Sequence, residues 1–336
     1  MDNDIGVKFI DGARAIVQPD DGTAPVRELI DGAKRTILLK MFTFTIDDIA
    51  ESLIAAQKRG VDVRVMLNPA RSSGSRANDD MRARLHDGGI TVAWSSPAFA
   101  VTHEKSMVVD GRTAMIATFN YGEKYFTATR DYGILTEDTG VVAEIEEGFH
   151  ADWERREFAP PATGPLLWSN RDSRVLMCAF IDRAKHTLDV QHPKFVDATV
   201  LERVVQANER GVRVRVLCGG KHGISAWDIL DTFASLRLMK LHGIKIRKQK
   251  KLRLHAKLLL ADGKRVLTGS MNIDRSAFDL RRELGCLVDD KEVVERLQTV
   301  FQQDWHDGSH YDPPDPLSVH LVEEDDHAHD PELVHE

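Results

Sequence analysis

Five chemistry-bearing residues return at matched spacing. His103, Lys105, Asp110, Asn120 and Asp131 stand at offsets 0, 2, 7, 17 and 28, and His255, Lys257, Asp262, Asn272 and Glu283 repeat those offsets 152 residues later. A single His or Lys at a strand end is usually a satisfied surface residue, and an Asp-Gly pair between strands is usually just a turn. Neither reading explains why imidazole, ammonium, amide and carboxylate recur in register, so the chain is read as a duplicated half-site. Both copies run apolar stretch, Asp-Gly, apolar stretch, in SMVVDGRTAMIAT at 106–118 and KLLLADGKRVLTGS at 257–270. That predicts strand, tight turn, strand. Residues i and i+2 of a strand share a face, so His103 should project with Lys105, and His255 with Lys257. An imidazole beside a fixed ammonium suits a phosphate oxygen better than an apolar core. Asp110 and Asp262 fall in the turns, where a carboxylate can cap backbone amides; the expected role is scaffolding.

The pattern H-x-K-x4-D followed by G-S-x-N, present twice, resembles the phospholipase D superfamily. The second copy holds His255, Lys257, Asp262, Gly269, Ser270 and Asn272, while the first has Ala117 and Thr118 before Asn120. Thr118 can supply a hydroxyl as Ser270 does, but Ala117 cannot take glycine's backbone conformations. NYGEKYFTATRDYG with FHADW, and NIDRSAFDLRRELG with FQQDW, look most like the cardiolipin synthase branch. The resemblance spans roughly residues 23–305.

It implies tandem α/β repeats packed about a pseudo-two-fold axis, with both His-Lys units in one cleft. A phosphodiester is attacked most easily by splitting one displacement into two. One imidazole takes phosphorus as a phosphohistidine, and the other protonates the leaving alcohol and then activates the acceptor. The residues leave these roles open; resemblance to two-repeat members makes His103 the nucleophile and His255 the acid/base. Lys105, Lys257, Asn120 and Asn272 would hold the non-bridging oxygens, so no metal or other cofactor is expected. Asp131 and Glu283 would each bond an imidazole nitrogen and fix its tautomer; the plainer alternative is a salt bridge with Arg130 or Arg282. The implied function is phospholipase D or phosphatidyl-transfer chemistry on phospholipids. The alternatives are a nuclease or other phosphodiesterase of the superfamily, and a scaffolding protein with a dead site.

Composition bounds these readings. The chain has 336 residues with 45 basic and 53 acidic side chains. Residues 312–336 hold nine of the acids and no Lys or Arg, leaving 45 basic against 44 acidic elsewhere. A strongly basic nucleic-acid footprint is missing. Cys178, Cys218 and Cys286 have neither metal nor disulfide spacing, which fits buried thiols in a reducing, cytoplasmic setting. No signal-peptide h-region and no run of about 18 apolar residues occurs, so a lipid substrate would be met at the membrane surface. Lys245–Lys257 contains seven basic residues, whereas 91–105 contains Lys105 alone. Lys248, Lys250 and Lys251 are therefore candidate contacts for an anionic headgroup or membrane surface, for a nucleic-acid backbone, or a solvated strand edge guarded by charge. Phe42, Phe44, Phe99 and Trp227 are candidate cleft aromatics, with core packing the commoner fate.

Stepping along the chain, 1–22 reads as a lead-in and 23–158 as the first repeat. Pro160, Pro161, Gly164 and Pro165 mark a linker at 159–166. The second repeat is 167–306, and 307–336 reads as an acidic tail, disordered or loosely docked. Within each repeat, helical and strand-like segments alternate in the same order, which argues α/β architecture.

Overall fold

The computed structural model describes residues 8–70, 74–161, 163–221, 224 and 226–318, without the side chains of 226, 227 and 318. The first half contributes β1 (Ala13–Gln18), β2 (Thr36–Met41), β3 (Asp62–Leu67), β4 (Thr91–Trp94), β5 (Ser106–Val109), β6 (Thr113–Ala117) and β7 (Thr129–Thr136). The second contributes β8 (Leu166–Trp168), β9 (Thr187–Gln191), β10 (Arg213–Cys218), β11 (Lys245–Lys248), β12 (Arg253–Leu254), β13 (Leu258–Ala261), β14 (Arg265–Gly269), β15 (Leu284–Val288) and β16 (Ser309–His310). Helices α1 (Ala24–Gly32), α2 (Asp47–Lys58), α3 (Asp79–Asp87), α4 (Glu123–Thr127) and α5 (Thr139–Glu154) belong to the first half. Helices α6 (Ser173–Asp182), α7 (Ala198–Glu209), α8 (Ala226–Leu241), α9 (Arg275–Asp279) and α10 (Lys291–Asp307) belong to the second.

Each half builds a mixed sheet. The orders are β1-β7-β6-β5-β2-β3-β4 and β16-β11-β10-β9-β13-β14-β15-β8, and β12 leaves its own half to pair with β7 of the other. β2, β3 and β4 run parallel, as do β9, β10 and β11, while the hairpin strands that follow are antiparallel. The Asp-Gly turns have φ of 59° and 62° at Asp110-Gly111, and 58° and 62° at Asp262-Gly263. Two successive positive φ values are what a two-residue hairpin turn needs to match strand twist.

The apolar faces explain how two sheets become one body. Val141, Ile145 and Phe149 of α5 and Val293, Leu297 and Phe301 of α10 share one buried cluster with Val108, Ile116 and Ile134 of the first sheet. Leu258, Leu260 and Val266 of the second sheet complete it. Each half keeps a separate outer core, under α1 and α2 on one side and α6 and α7 on the other. The two long helices are thus packed between the sheets, and the tandem α/β repeats meet about a pseudo-two-fold axis.

Both margins of the described chain pack onto the sheets. The lead-in is part of the fold: β1 pairs antiparallel with β7, and Ile10 bridges to Val288 of the second half. The start of the supposed tail is docked as well. Asp307 ends α10, β16 pairs with β11, and Lys240 holds Asp312 at 2.6 Å. The alternation of charge and proline there hid a short edge strand. Residues 319–336 lie outside the described residues. No helix among the described residues is long and apolar enough to cross a membrane.

Candidate active site

His103 and His255 sit just before β5 and β13 rather than within them. The sheet hydrogen bonding has been exchanged for bonds across the halves. The His103 and Glu104 amides both donate to the Arg282 carbonyl at 2.9 Å, and the His255 and Ala256 amides to the Arg130 carbonyl at 3.2 and 2.8 Å. Each histidine segment therefore lies against the strand of the opposite half, one residue from its carboxylate.

That placement crosses the acids. His103 Nδ1 lies 2.9 Å from Glu283 Oε2, and His255 Nδ1 lies 2.6 Å from Asp131 Oδ1. Each acid follows its own histidine by 28 residues yet serves the other. A carboxylate on Nδ1 sets the tautomer with Nδ1–H and leaves Nε2 for chemistry. Lys257 Nζ donates to His255 Nε2 at 2.9 Å and to the His255 carbonyl at 2.7 Å. Lys105 Nζ donates to the His103 carbonyl at 2.8 Å. His103, Lys105, Asn120, Asp131 and Glu283 are fully buried, and His255, Lys257 and Asn272 are no more than 4 % exposed. Tyr125 of the first half packs edge-on against His255 at 5.0 Å, and Phe42 does the same for His103 at 4.7 Å.

The two carboxylates are held differently. Asp131 also accepts from Thr118 Oγ1 and Thr129 Oγ1, each at 2.6 Å. Glu283 Oε1 is buried with no hydrogen-bond partner among the described residues, as is Asn272 Oδ1. Burial, only partly opposed by the Lys105 charge, pushes Glu283 up to about 7. An unsatisfied buried polar atom costs about 1–3 kcal/mol; placed here, such atoms suit a site that a ligand completes.

The hydroxyl residues and turn acids occupy supporting positions. Thr118 bridges Asp131 and the Tyr132 amide, whereas Ser270 meets the Leu284 backbone, accepting from its amide at 3.0 Å. Gly269 has φ 152°, and a Cβ there would lie 2.4 Å from Gly285 Cα; Ala117 instead sits in the ordinary β6–β7 ladder opposite Gly133. Asp110 accepts from the amides of Lys34, Arg35 and Thr36, and Asp262 from those of Lys185, His186 and Thr187. Both lie below the usual carboxylate range, because those amides outweigh the cost of burial.

The family described as cardiolipin synthase, PLD-like domain matches residues 26–153 and again 177–305. The chain belongs to this family. The major cardiolipin synthase of Bacillus subtilis (strain 168) is 26% identical over 316 residues, 82% of this chain and 65% of that protein. A cardiolipin synthase of Listeria monocytogenes serotype 4a (strain HCC23) is 25% identical over 314 residues, with the same coverage. The chain thus spans just under two thirds of the length of these curated relatives. Among solved structures, a phosphatidylserine synthase from Haemophilus influenzae Rd KW20 superposes with TM-score 0.68 at 15% identity, covering 88% of this chain and 87% of that one. A polyphosphate kinase from Porphyromonas gingivalis gives TM-score 0.69 at 16% identity, over 88% and 47%. These likenesses establish the shared fold.

In this PLD-like chain, the residues that brace the pair escaped sequence reasoning. Arg282 forks onto Asp152 with both bonds at 2.9 Å, and Arg130 onto Asp304 at 2.8 and 3.1 Å. Asp152 and Asp304 are the acids of FHADW and FQQDW, so the arginines beside Asp131 and Glu283 bind the helix ends of the opposite halves, not those acids. The signal was present, since both pairs keep the 152-residue offset. Lys40 adds 2.6 Å and 3.1 Å contacts to Asp152 and Glu104, wholly buried. Thr129 and Ser169, whose hydroxyl receives the Glu283 amide at 2.7 Å, gave no signal beyond their own type.

The basic run is largely engaged with the body. Lys248 is half-buried beside Gly220 and over the Tyr311 ring, and Lys251 pairs with Asp307 at 2.8 Å; Lys250 is exposed. Phe44 is core, stacked edge-on with Tyr121, and Phe99 lies over Arg282. The Trp227 side chain lies outside the described residues.

Proposed function

We propose that this protein breaks and re-forms phosphodiester bonds of phospholipids, passing a phosphatidyl group to an alcohol or to water through a covalent phosphohistidine. The crossed pair carries the reading: two buried imidazoles, each with Nδ1 on a carboxylate of the other half and a lysine two residues on. His103 Nε2 attacks phosphorus as the bond to the departing alcohol oxygen breaks, and His255 gives that oxygen its proton. His255 then takes the proton of the incoming alcohol or water, whose oxygen attacks phosphorus and breaks the phosphorus–nitrogen bond. Lys105, Lys257, Asn120 and Asn272 hold the non-bridging oxygens, where charge grows. A phosphate oxygen that takes over Lys257 as its donor leaves His255 Nε2 able to exchange protons. Asp131, held by two threonines, stabilises the imidazolium that His255 must become.

Lipid rather than nucleic acid is supported by the cardiolipin synthase relatives and by the near-neutral body. The test is incubation with phosphatidylglycerol vesicles and, separately, with single-stranded DNA. Expected is lipid turnover, with glycerol or headgroup exchange products, abolished in His103→Ala. DNA cleavage without lipid turnover would transfer the same site to a nuclease.

A further inference from the structure

A cavity of about 320 Å³ opens between the halves, lined by residues of both, among them Arg282 next to Glu283. Four guanidinium groups line it, from Arg155, Arg156, Arg171 and Arg282, with Ala98 and Phe99 at its apolar rim. Asp152 is engaged by Arg282 at 2.9 Å and Glu157 by Arg171 at 3.0 Å, while Arg156 is already paired with Glu147 at 2.7 Å and Glu154 at 2.8 Å. The Arg171–Glu157 pair is exposed, at 43% and 84% of its side chains, so it holds weakly and an incoming phosphate can compete with it. Arg155 touches the Trp94 carbonyl at 3.3 Å. The Ala100 amide bonds the Leu280 carbonyl at 2.9 Å, which sets Leu280, 56% exposed, beside the rim. A charged hollow with an apolar lip has the chemistry of an amphiphile's phosphate end.

We propose that this cavity is a second, non-catalytic site for an anionic phospholipid: the phosphate lies between Arg155 and Arg171, and acyl chains leave over Ala98, Phe99 and Leu280. It deepens the lipid reading of the proposed catalytic site, because Arg282, one of its lining residues, accepts at its carbonyl the amides of His103 and Glu104. A lipid held here anchors the cleft at the bilayer.

The test is the double variant Arg155→Asn/Arg171→Gln in the full chain. Asn keeps the left-handed backbone that Arg155 adopts at φ 58°. Flotation with phosphatidylcholine vesicles containing phosphatidylglycerol should weaken about ten- to thirty-fold, while turnover of a soluble nitrophenyl phosphodiester stays within about two-fold of wild type. Leu280→Ser should weaken flotation as well, with the same soluble turnover. Inorganic phosphate at millimolar concentration should fail to release the wild type, because it lacks the acyl chains; release would mean a free-phosphate site and overturn the lipid assignment. Unchanged flotation of the double variant, or wild type that binds no such vesicles, overturns the proposal. Wild type that floats through these arginines yet turns over no lipid would sink the proposed function and leave this site standing.

Discussion

Asp131 and Glu283 meet their imidazoles alike, but one is saturated with donors and the other is not. Burial holds Glu283 up to about 7, opposed chiefly by Lys105. The folded protein therefore keeps a proton that the unfolded chain releases near pH 4.5. This group's contribution to stability falls as pH rises from about 4.5 to about 7 and levels off above. Glu283→Gln cannot titrate, so its melting temperature should decline less steeply over that range than wild type; an identical slope would place the proton elsewhere. The roles proposed for the two histidines can be tested separately. With a nitrophenyl substrate, whose leaving group departs without a proton, His255→Ala should accumulate a phosphoryl adduct on His103, since the base that activates the acceptor is missing. His103→Ala should form none, and mass spectrometry of the quenched protein reads both. An adduct on His255 would exchange the two roles, and none in either variant would remove the covalent step.

At the scale of elements, helices α5 and α10 do more than fill the space between sheets. Each carries in its last turn an aspartate, Asp152 or Asp304, that clamps the arginine next to the other half's carboxylate, so helix docking and acid placement are one event. Asp152 is held low in pKa, the Lys40 and Arg282 charges outweighing its burial. Removing one partner of such a buried pair strands the other charge and costs about 3–5 kcal/mol. Asp152→Ala should lose stability on that order in denaturant unfolding, since Arg282 and Lys40 both lose an acceptor. A loss under about 1 kcal/mol would mean that the cluster relaxes to water.

For the whole molecule, neither half holds a complete site, because each imidazole is oriented by the other half's carboxylate. In the proposed reaction two ammonium groups, Lys105 and Lys257, would supply the positive charge that developing phosphorane oxygens need. Turnover is therefore expected to persist in excess EDTA. Loss on chelation, restored by a divalent ion, would refute the lysine-based account.

Much of this was legible in the chain itself. Periodicity marked the alternating helices and strands, and Asp-Gly marked both hairpins, because local sterics and burial set those patterns within a few residues. The 152-residue offset identified the repeat and the residues that share a site. What spacing could not supply was partnership. Asp131 follows His103, but it bonds His255, since β12 pairs with β7 and turns the second half's histidine segment toward the first half's acid. The arginines looked like partners for adjacent acids, yet they reach helix ends of the other half, 174 and 130 residues away in sequence. Ile10, Ser309 and Leu317 read as margins of the chain, and the first two are stitched to sheet strands. Local sequence dictates which residues can bend, pair or pack; which of two equivalent partners they meet is decided by the docking of apolar faces far apart in the chain.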